Sequence, residues 1–198
     1  MIREQLKTTI LIFIILTIIT GIIYPLVITG IAELFFKSQA NGSIIIRDGK
    51  VIGSSLIGQP FDDLGYFWGR PSATTPAAFN AASSSGSNLG PSNPALSDAV
   101  KTRVNNLHTA DPDNKLPIPV DLVTSSASGL DPHISPAAAY YQIPRIARVR
   151  NIQQDVLLRI VQENTENRFL GIIGEPVVNV LRLNLAIDSV DKVRKGQK

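Results

Sequence analysis

Between Lys7 and Glu33 the chain runs without a charge, and Ile, Leu, Val and Phe fill most of its positions. Thr8–Ala32 is apolar around every side of a helix and not along one stripe, which no water-exposed amphipathic helix would need. Its 25 residues reach about 37 Å as a helix, enough to cross a hydrocarbon core of about 30 Å with some tilt. The pattern predicts one transmembrane helix over 8–36, preceded by a short N-terminus at 1–7. A cleaved signal is the competing reading: Arg3 and Lys7 give a basic start, and Ser38-Gln39-Ala40 would suit a small-residue cleavage site. Signal cores, however, run about 7–15 apolar residues, and here Glu33 and Lys37 would fall between core and cut. A retained anchor is expected.

After residue 37 the pattern changes to short, separated elements. Ser43–Arg47 and Lys50–Ser54 are β-prone runs joined by Asp48-Gly49, a two-residue turn whose twist suits paired strands. The aromatic-rich Tyr66-Phe67-Trp68-Gly69-Arg70-Pro71 follows, then Ser72–Asp98, a long Ser/Ala/Gly/Pro-rich loop that reads as a linker or functional loop. A helix starts near Asn93, with Pro94 at its first position and Leu96, Val100, Val104 and Leu107 on one face. A second follows Ser135-Pro136 through Ala137–Tyr141 and should kink or stop at Pro144. A third covers Gln153–Asn164, with Asn151 as its cap and Val156, Leu157, Ile160 and Val161 inward. Val177–Leu185 reads as a buried strand entered through Gly171, Gly174 and Pro176. Strands and helices mix without a βαβ repeat. The expected fold is therefore α+β: a single N-terminal transmembrane helix followed by one mixed α/β soluble domain at 37–198.

Charge narrows the picture only a little. Arg3 and Lys7 precede the span while Lys37, Arg47 and Lys50 follow it, so neither orientation is favoured. The chain has no cysteine, so no disulfide marks its compartment. The domain is nearly balanced in charge and has no basic stripe with interleaved aromatics, which argues against nucleic-acid binding. Lys192, Arg194, Lys195 and Lys198 read as a solvated end.

Catalytic motifs are largely missing. Gly53-Ser54-Ser55-Leu56-Ile57-Gly58 has P-loop glycine spacing, but Gln59-Pro60 stands where Lys and Ser/Thr are needed. Gly86-Ser87-Asn88-Leu89-Gly90 puts its Ser one place too early for a nucleophile elbow. With two histidines and no cysteine, a structural zinc site is not expected. The polar stretch Asp121–Ser135 supplies hydroxyls, acids and His133, and so keeps open a membrane-anchored hydrolase using Ser128, Asp131 and His133. Turn and cap chemistry explains the same residues more simply: Asp131-Pro132 starts a turn and Ser135 caps the next helix. An anchored binding protein for a small polar ligand is a third possibility. In the span, Thr17, Gly21 and Pro25 recur every fourth residue, placing small or kinking groups on one stripe that would allow close helix contact.

Ordered blocks run through the whole chain. They begin with Thr20-Gly21 and Tyr24-Pro25, then Gln39-Ala40-Asn41-Gly42-Ser43 and Leu56-Ile57-Gly58-Gln59. Tyr66-Phe67, Gly69-Arg70-Pro71-Ser72-Ala73, Gly86-Ser87-Asn88-Leu89 and Ser92-Asn93-Pro94 follow. Asp121-Leu122-Val123-Thr124, Ser128-Gly129-Leu130-Asp131, Gln142-Ile143-Pro144-Arg145, Val178-Asn179-Val180 and Leu183-Asn184-Leu185 complete them. With these blocks the chain resembles the C subunit of the Kdp potassium-transporting P-type ATPase. The resemblance implies an accessory, non-catalytic subunit of an ATP-driven potassium uptake complex. Its partners would be a potassium channel-like subunit, a P-type ATPase subunit that forms an aspartyl phosphate, and a small membrane subunit. The chain lacks the Asp-Lys-Thr-Gly sequence such a pump needs, in keeping with that role. The resemblance further implies a cytoplasmic N-terminus, a single pass through the bacterial inner membrane and an extracytoplasmic domain. No permanently bound cofactor and no metal ligand is expected, and potassium would be the ion transported by the complex. The resemblance also implies a catalytic chaperone raising the pump's ATP affinity, with ATP as a transient ligand at Ser84, Ser85, Gly86, Ser87 and Asn88. Expected subunit contacts are Thr17, Gly21, Tyr24 and Pro25 in the span, and Arg70, Asp121, Asp131 and Arg145 as interface or structural polar anchors.

Overall fold

The computed structural model of the chain describes residues 2–196. Lys198, the last of the charges expected at a solvated end, lies outside the described residues. Two compact units divide the chain, the first ending at Ile44 and the second beginning at Ile45.

The first unit is a helix continuous from Ile2 to Phe35, built from α1 (Ile2–Ile18), a π-helical turn (Ile19–Ile23) and α2 (Tyr24–Phe35), and none of its residues is buried. It is long and apolar enough to cross a membrane. The helix starts before the apolar run because Arg3, Glu4 and Gln5 are good helix formers. The wide turn has a local cause. Pro25 offers no N–H, and its ring would press on the carbonyl four residues back, that of Gly21. Here the Tyr24 N–H reaches five residues back to Ile19 O, which relieves the crowding. The helix breaks at Phe36 (φ −132°, ψ 38°), and a single turn, α3 (Lys37–Ala40), follows. Asn41 closes it, its Nδ2 donating to Lys37 O at 2.8 Å and to the Glu33 carboxylate.

The expected hairpin comes next, β1 (Ile44–Arg47) and β2 (Lys50–Ser54), with Asp48 at φ 52° and Gly49 at φ 74°. Two successive positive φ angles are what a type I′ turn requires. The irregular stretch from Ser72 ends at Asn93, five residues short of the expected limit, because Asn93 accepts from Ala95 N at 3.0 Å and caps α4 (Pro94–Ala110). The stretch is no free linker. Ser72 Oγ donates to Gly129 O (2.7 Å), and Ser85 N donates to Ser128 O (2.9 Å).

A 3₁₀ turn (Val120–Leu122) leads to β3 (His133–Ile134) and then α5 (Pro136–Arg150), capped by Ser135 Oγ accepting from Ala138 N. Here the structure corrects the sequence reading: α5 neither stops nor breaks at Pro144. Packing carries the helix past the proline, since Ile143, Arg145 and Ile146 on either side of it are buried in the core. Asn151 is not the cap of the next helix. It stands in the left-handed region (φ 53°, ψ 45°) and ends α5, while Gln153 occupies the N-cap of α6 (Gln154–Glu163).

A three-stranded antiparallel sheet is completed by β4 (Thr165–Glu166) and β5 (Val177–Asn179), in the order β3-β5-β4. Val178 in the centre lies opposite Ile134 on one side and Thr165 on the other. The expected strand Val177–Leu185 is corrected too, since only three residues are extended before α7 (Val180–Gly196) begins. Asn179 Oδ1 accepts from Arg182 N, a helix-start bond, and the buried Val180, Leu183, Asn184 and Ile187 recur at helical spacing. The core lies where α5, α6, α7 and β5 meet, around Ile146, Leu157, Val161, Val178, Leu183 and Ile187. Leu157, Ile160 and Val161 face inward as expected.

Candidate subunit-contact site

In the first unit Thr17, Gly21, Tyr24 and Pro25 are all exposed. Thr17 Oγ donates back to Phe13 O at 2.8 Å, so the hydroxyl costs the apolar surface little, and no heavy atom lies within 4 Å of a Cβ added at Gly21. The π turn, which contains Gly21, matters for the stripe. One extra residue in a turn rotates the rest of the helix by about 100° relative to an unbroken α-helix. Pro25 then comes nearly over Thr17, while Tyr24 turns aside. The arrangement is an open, small-residue groove at the π turn, suited to close approach of another helix.

In the second unit the aromatic segment crosses the core, held by side chains instead of a strand. Asn184 pairs with both backbone groups of Phe67, accepting from its N–H (2.8 Å) and donating to its carbonyl (3.0 Å). Gln142 does the same for Trp68, at 2.8 and 3.1 Å. Arg145 donates to Leu64 O, to Tyr66 O (3.0 Å) and to Gln142 Oε1 (2.8 Å), and stacks over the Trp68 ring at 4.4 Å. Burial pulls its pKa down to about 10, so it stays charged at neutral pH. Of the expected polar anchors, Arg145 is therefore turned inward and fastens the 64–68 segment to α5.

The other three anchors surround the start of β3. Arg70 Nη1 meets Asp131 Oδ2 at 3.4 Å, and Arg70 Nη2 donates to Ser125 O. Asp131 Oδ1 accepts from His133 N (3.0 Å) and contacts His133 Nδ1 (3.2 Å). Burial opposes ionisation of Asp131, but the hydrogen bonds from His133 and the charges of His133 and Arg70 outweigh it and hold the carboxyl below its ordinary value. Asp121 Oδ2 accepts from Ser135 N at 2.7 Å. Arg70, Asp121, Asp131 and His133 share the wall of one open cleft with Glu175 and Pro176.

The hydrolase reading finds no support in this geometry. His133 and Asp131 are paired, but Ser128 Oγ accepts from Leu130 N and neighbours Ser126 Oγ, and among the described residues no hydrogen bond joins Ser128 to His133. Among the described residues, no group of three His, Cys, Asp or Glu is placed to hold a metal.

Ser84–Asn88 is pressed against 126–129. Ser84 Oγ and Ser85 N both donate to Ser128 O, and a Cβ on Gly86 would lie 2.6 Å from Ala127 O. Ser84, Ser85, Ser87 and Asn88 are exposed, and Asn88 has a positive φ of 51°. The segment presents hydroxyls from a fixed backbone and carries no basic residue of its own.

A family model described as the K+-transporting ATPase, c chain, matches residues 6–189, from the apolar helix into α7. The chain belongs to the KdpC family. A "Potassium-transporting ATPase KdpC subunit" of Dechloromonas aromatica is 59% identical over 96% of this chain and all of the relative. Similarly named relatives from Methylococcus capsulatus (59%, covering 94% of this chain and 98% of the relative) and Polaromonas naphthalenivorans (57%, covering 96% and 97%) agree. The α+β fold behind one long apolar helix is thus that of a KdpC family member.

Two features escape a reading of the sequence. The paired roles of Gln142 and Asn184 leave no local signal, since a buried amide is recognisable only once its partner segment is placed beside it. The exposed Phe169–Ile173 turn does leave one, a cluster of large apolar residues around Gly171 that reads in the sequence as the approach to a strand.

Proposed function

We propose that the chain is an accessory subunit of an ATP-driven potassium uptake complex in the bacterial inner membrane. The Ile2–Phe35 helix anchors it, and the second unit lies on the outer side. Its partners are a channel-like potassium subunit, a P-type ATPase subunit and a small membrane subunit. The observation that carries the reading is the unbroken match to a KdpC family model over residues 6–189, joined to a 34-residue apolar helix with no buried side chain. A helix of that kind needs lipid or another helix around it.

The test is potassium-stimulated ATP hydrolysis in membranes from cells lacking the chain, with and without its restoration. Restored activity supports the role, and equal activity in both membranes would remove it. Within the same proposal, Gly21→Leu fills the open groove beside Thr17 and Pro25, and it should lower recovery of partner subunits in a detergent pull-down. A nucleotide contact at Ser84–Asn88, with ATP as a transient ligand, is the finer part of this reading. Its support is the run of exposed hydroxyls on a pinned backbone. Ser87→Ala with Asn88→Ala should then raise the ATP concentration needed for half-maximal activity of the assembled complex; an unchanged value would remove the contact and leave the subunit role standing.

A further inference from the structure

The connection between β4 and β5 ends in a closed apolar tip. Phe169 N donates to Ile173 O (2.8 Å) and Ile173 N to Phe169 O (3.0 Å), while Gly171 N reaches Arg168 O and Ile172 N reaches Phe169 O. Leu170, Gly171 and Gly174 take positive φ angles to make the turn. Its polar backbone is therefore largely satisfied from within, and its side chains point away from the core. Phe169 is 68% exposed, Leu170 77%, Ile172 80% and Ile173 64%. At its base the charges pair among themselves, Arg168 with Glu175 at 2.7 Å and Arg182 with Glu166 at 3.0 Å.

Four large apolar side chains held out to solvent on an ordered turn mark a contact surface. Resting on the subunit reading above, we propose that Phe169, Leu170, Ile172 and Ile173 insert into an uncharged apolar groove on another subunit of the same complex. An apolar centre ringed by polar groups is the usual anatomy of a protein interface. Because the ring charges are already neutralised in pairs, the groove need supply no counter-charge. The bilayer fits less well as the occupant. Segments that seat in the headgroup region carry excess Lys or Arg, whereas the two arginines at the base of this tip are balanced by two glutamates. Four side chains on one turn are also a small surface beside the roughly 1,200–2,000 Å² that a specific complex buries. It acts as one anchor of a divided attachment, with the membrane helix supplying the other and raising the local concentration of the partner.

The chain has no cysteine, so Ile172→Cys gives a single labelling position on an exposed side chain. The full-length protein carrying an environment-sensitive fluorophore there is measured alone, in phosphatidylethanolamine–phosphatidylglycerol nanodiscs, and again after co-purification with its partners. The proposal expects quenching by aqueous iodide in the lone chain and protection with a blue-shifted emission in the complex. Phe169→Ser with Ile172→Ser, both at exposed positions, should weaken retention of the partners about tenfold, the loss typical of an interface anchor. Protection in the lone chain with quenching by brominated lipid would assign the tip to the bilayer and overturn the proposal. So would protection that grows with concentration of the lone chain, which would mean self-association. If the wild-type chain brings down its partners and the label stays open to iodide, this inference alone fails. If no partner is recovered with the wild type, the subunit reading fails and takes the inference with it.

Discussion

Asn184→Ala removes a side chain that stands in for a neighbouring strand. Asn184 is 2% exposed and Phe67 fully buried, so neither backbone group of Phe67 can turn to bulk water when the amide is lost. An unsatisfied buried group costs about 1–3 kcal/mol, so two of them place the loss at about 2–6 kcal/mol, with about 4 as the working figure. Folded domains of this size are stable by about 5–15 kcal/mol, so the variant should remain folded but markedly weakened. For 150–250 residues each kcal/mol moves Tm by about 2–4 °C, which gives a drop of about 8–16 °C. Trp68, the single tryptophan, adjoins Phe67 and reports the segment directly, so thermal unfolding of the full chain in detergent can be followed by its emission. The exposed Gln162→Ala on α6 is the control and should shift stability by no more than about 0.5 kcal/mol. If Asn184→Ala moves Tm no further than this control, the side-chain clamp is not what holds the aromatic segment.

Arg145→Met should cost about 3 kcal/mol, because it orphans the carbonyls of Leu64 and Tyr66 and removes the cation above Trp68; a red-shifted Trp68 emission in the folded variant would check it. Gly129→Ala should open the 72–92 stretch to proteases, since φ is +68° there and the added Cβ would lie 2.5 Å from Ser85 O; an unchanged digestion pattern would contradict the close packing. Asp131 has a folded pKa below the ordinary 3.8, so the hydrogen bonds it accepts from His133 and its pairing with Arg70 stabilise the fold fully above that value, and this is lost as pH falls through the folded pKa. Asp131→Asn should therefore destabilise at pH 7, with the gap to wild type closing below about pH 3.8; urea-unfolding curves that stay equally separated at pH 7 and pH 3 would refute the assignment.

Much of the fold is legible where one residue acts locally. Asp48-Gly49 announces a turn, Asn93-Pro94 and Ser135-Pro136 announce helix starts, and the uncharged run announces a helix longer than any core helix would need. Legibility fails where a tertiary partner decides. Val177–Leu185 contains both a period of two and a period of 3.6, and only Asn179 capping Arg182 N settles where the strand gives way to a helix. Helix α5 runs through Pro144 because the residues around it, Ile143, Arg145 and Ile146, are buried in the core, and nothing in the local sequence foretells that. For the site, the span stripe is readable from small residues, but the π turn that realigns Pro25 with Thr17 is not. Arg145 is recognisable as a special polar residue; its inward direction depends on the 64–68 segment, which lies far away in sequence.

A chain that works as a membrane-anchored subunit, and not alone, should leave its membrane in company. The decisive experiment is purification of the tagged full-length chain from its native membrane in mild detergent, with the retained proteins identified. The subunit reading expects recovery of a channel-like potassium subunit and a P-type ATPase subunit bearing the Asp-Lys-Thr-Gly sequence, in fixed proportion to the chain. Recovery of the chain by itself, from membranes in which those subunits are present, would contradict it.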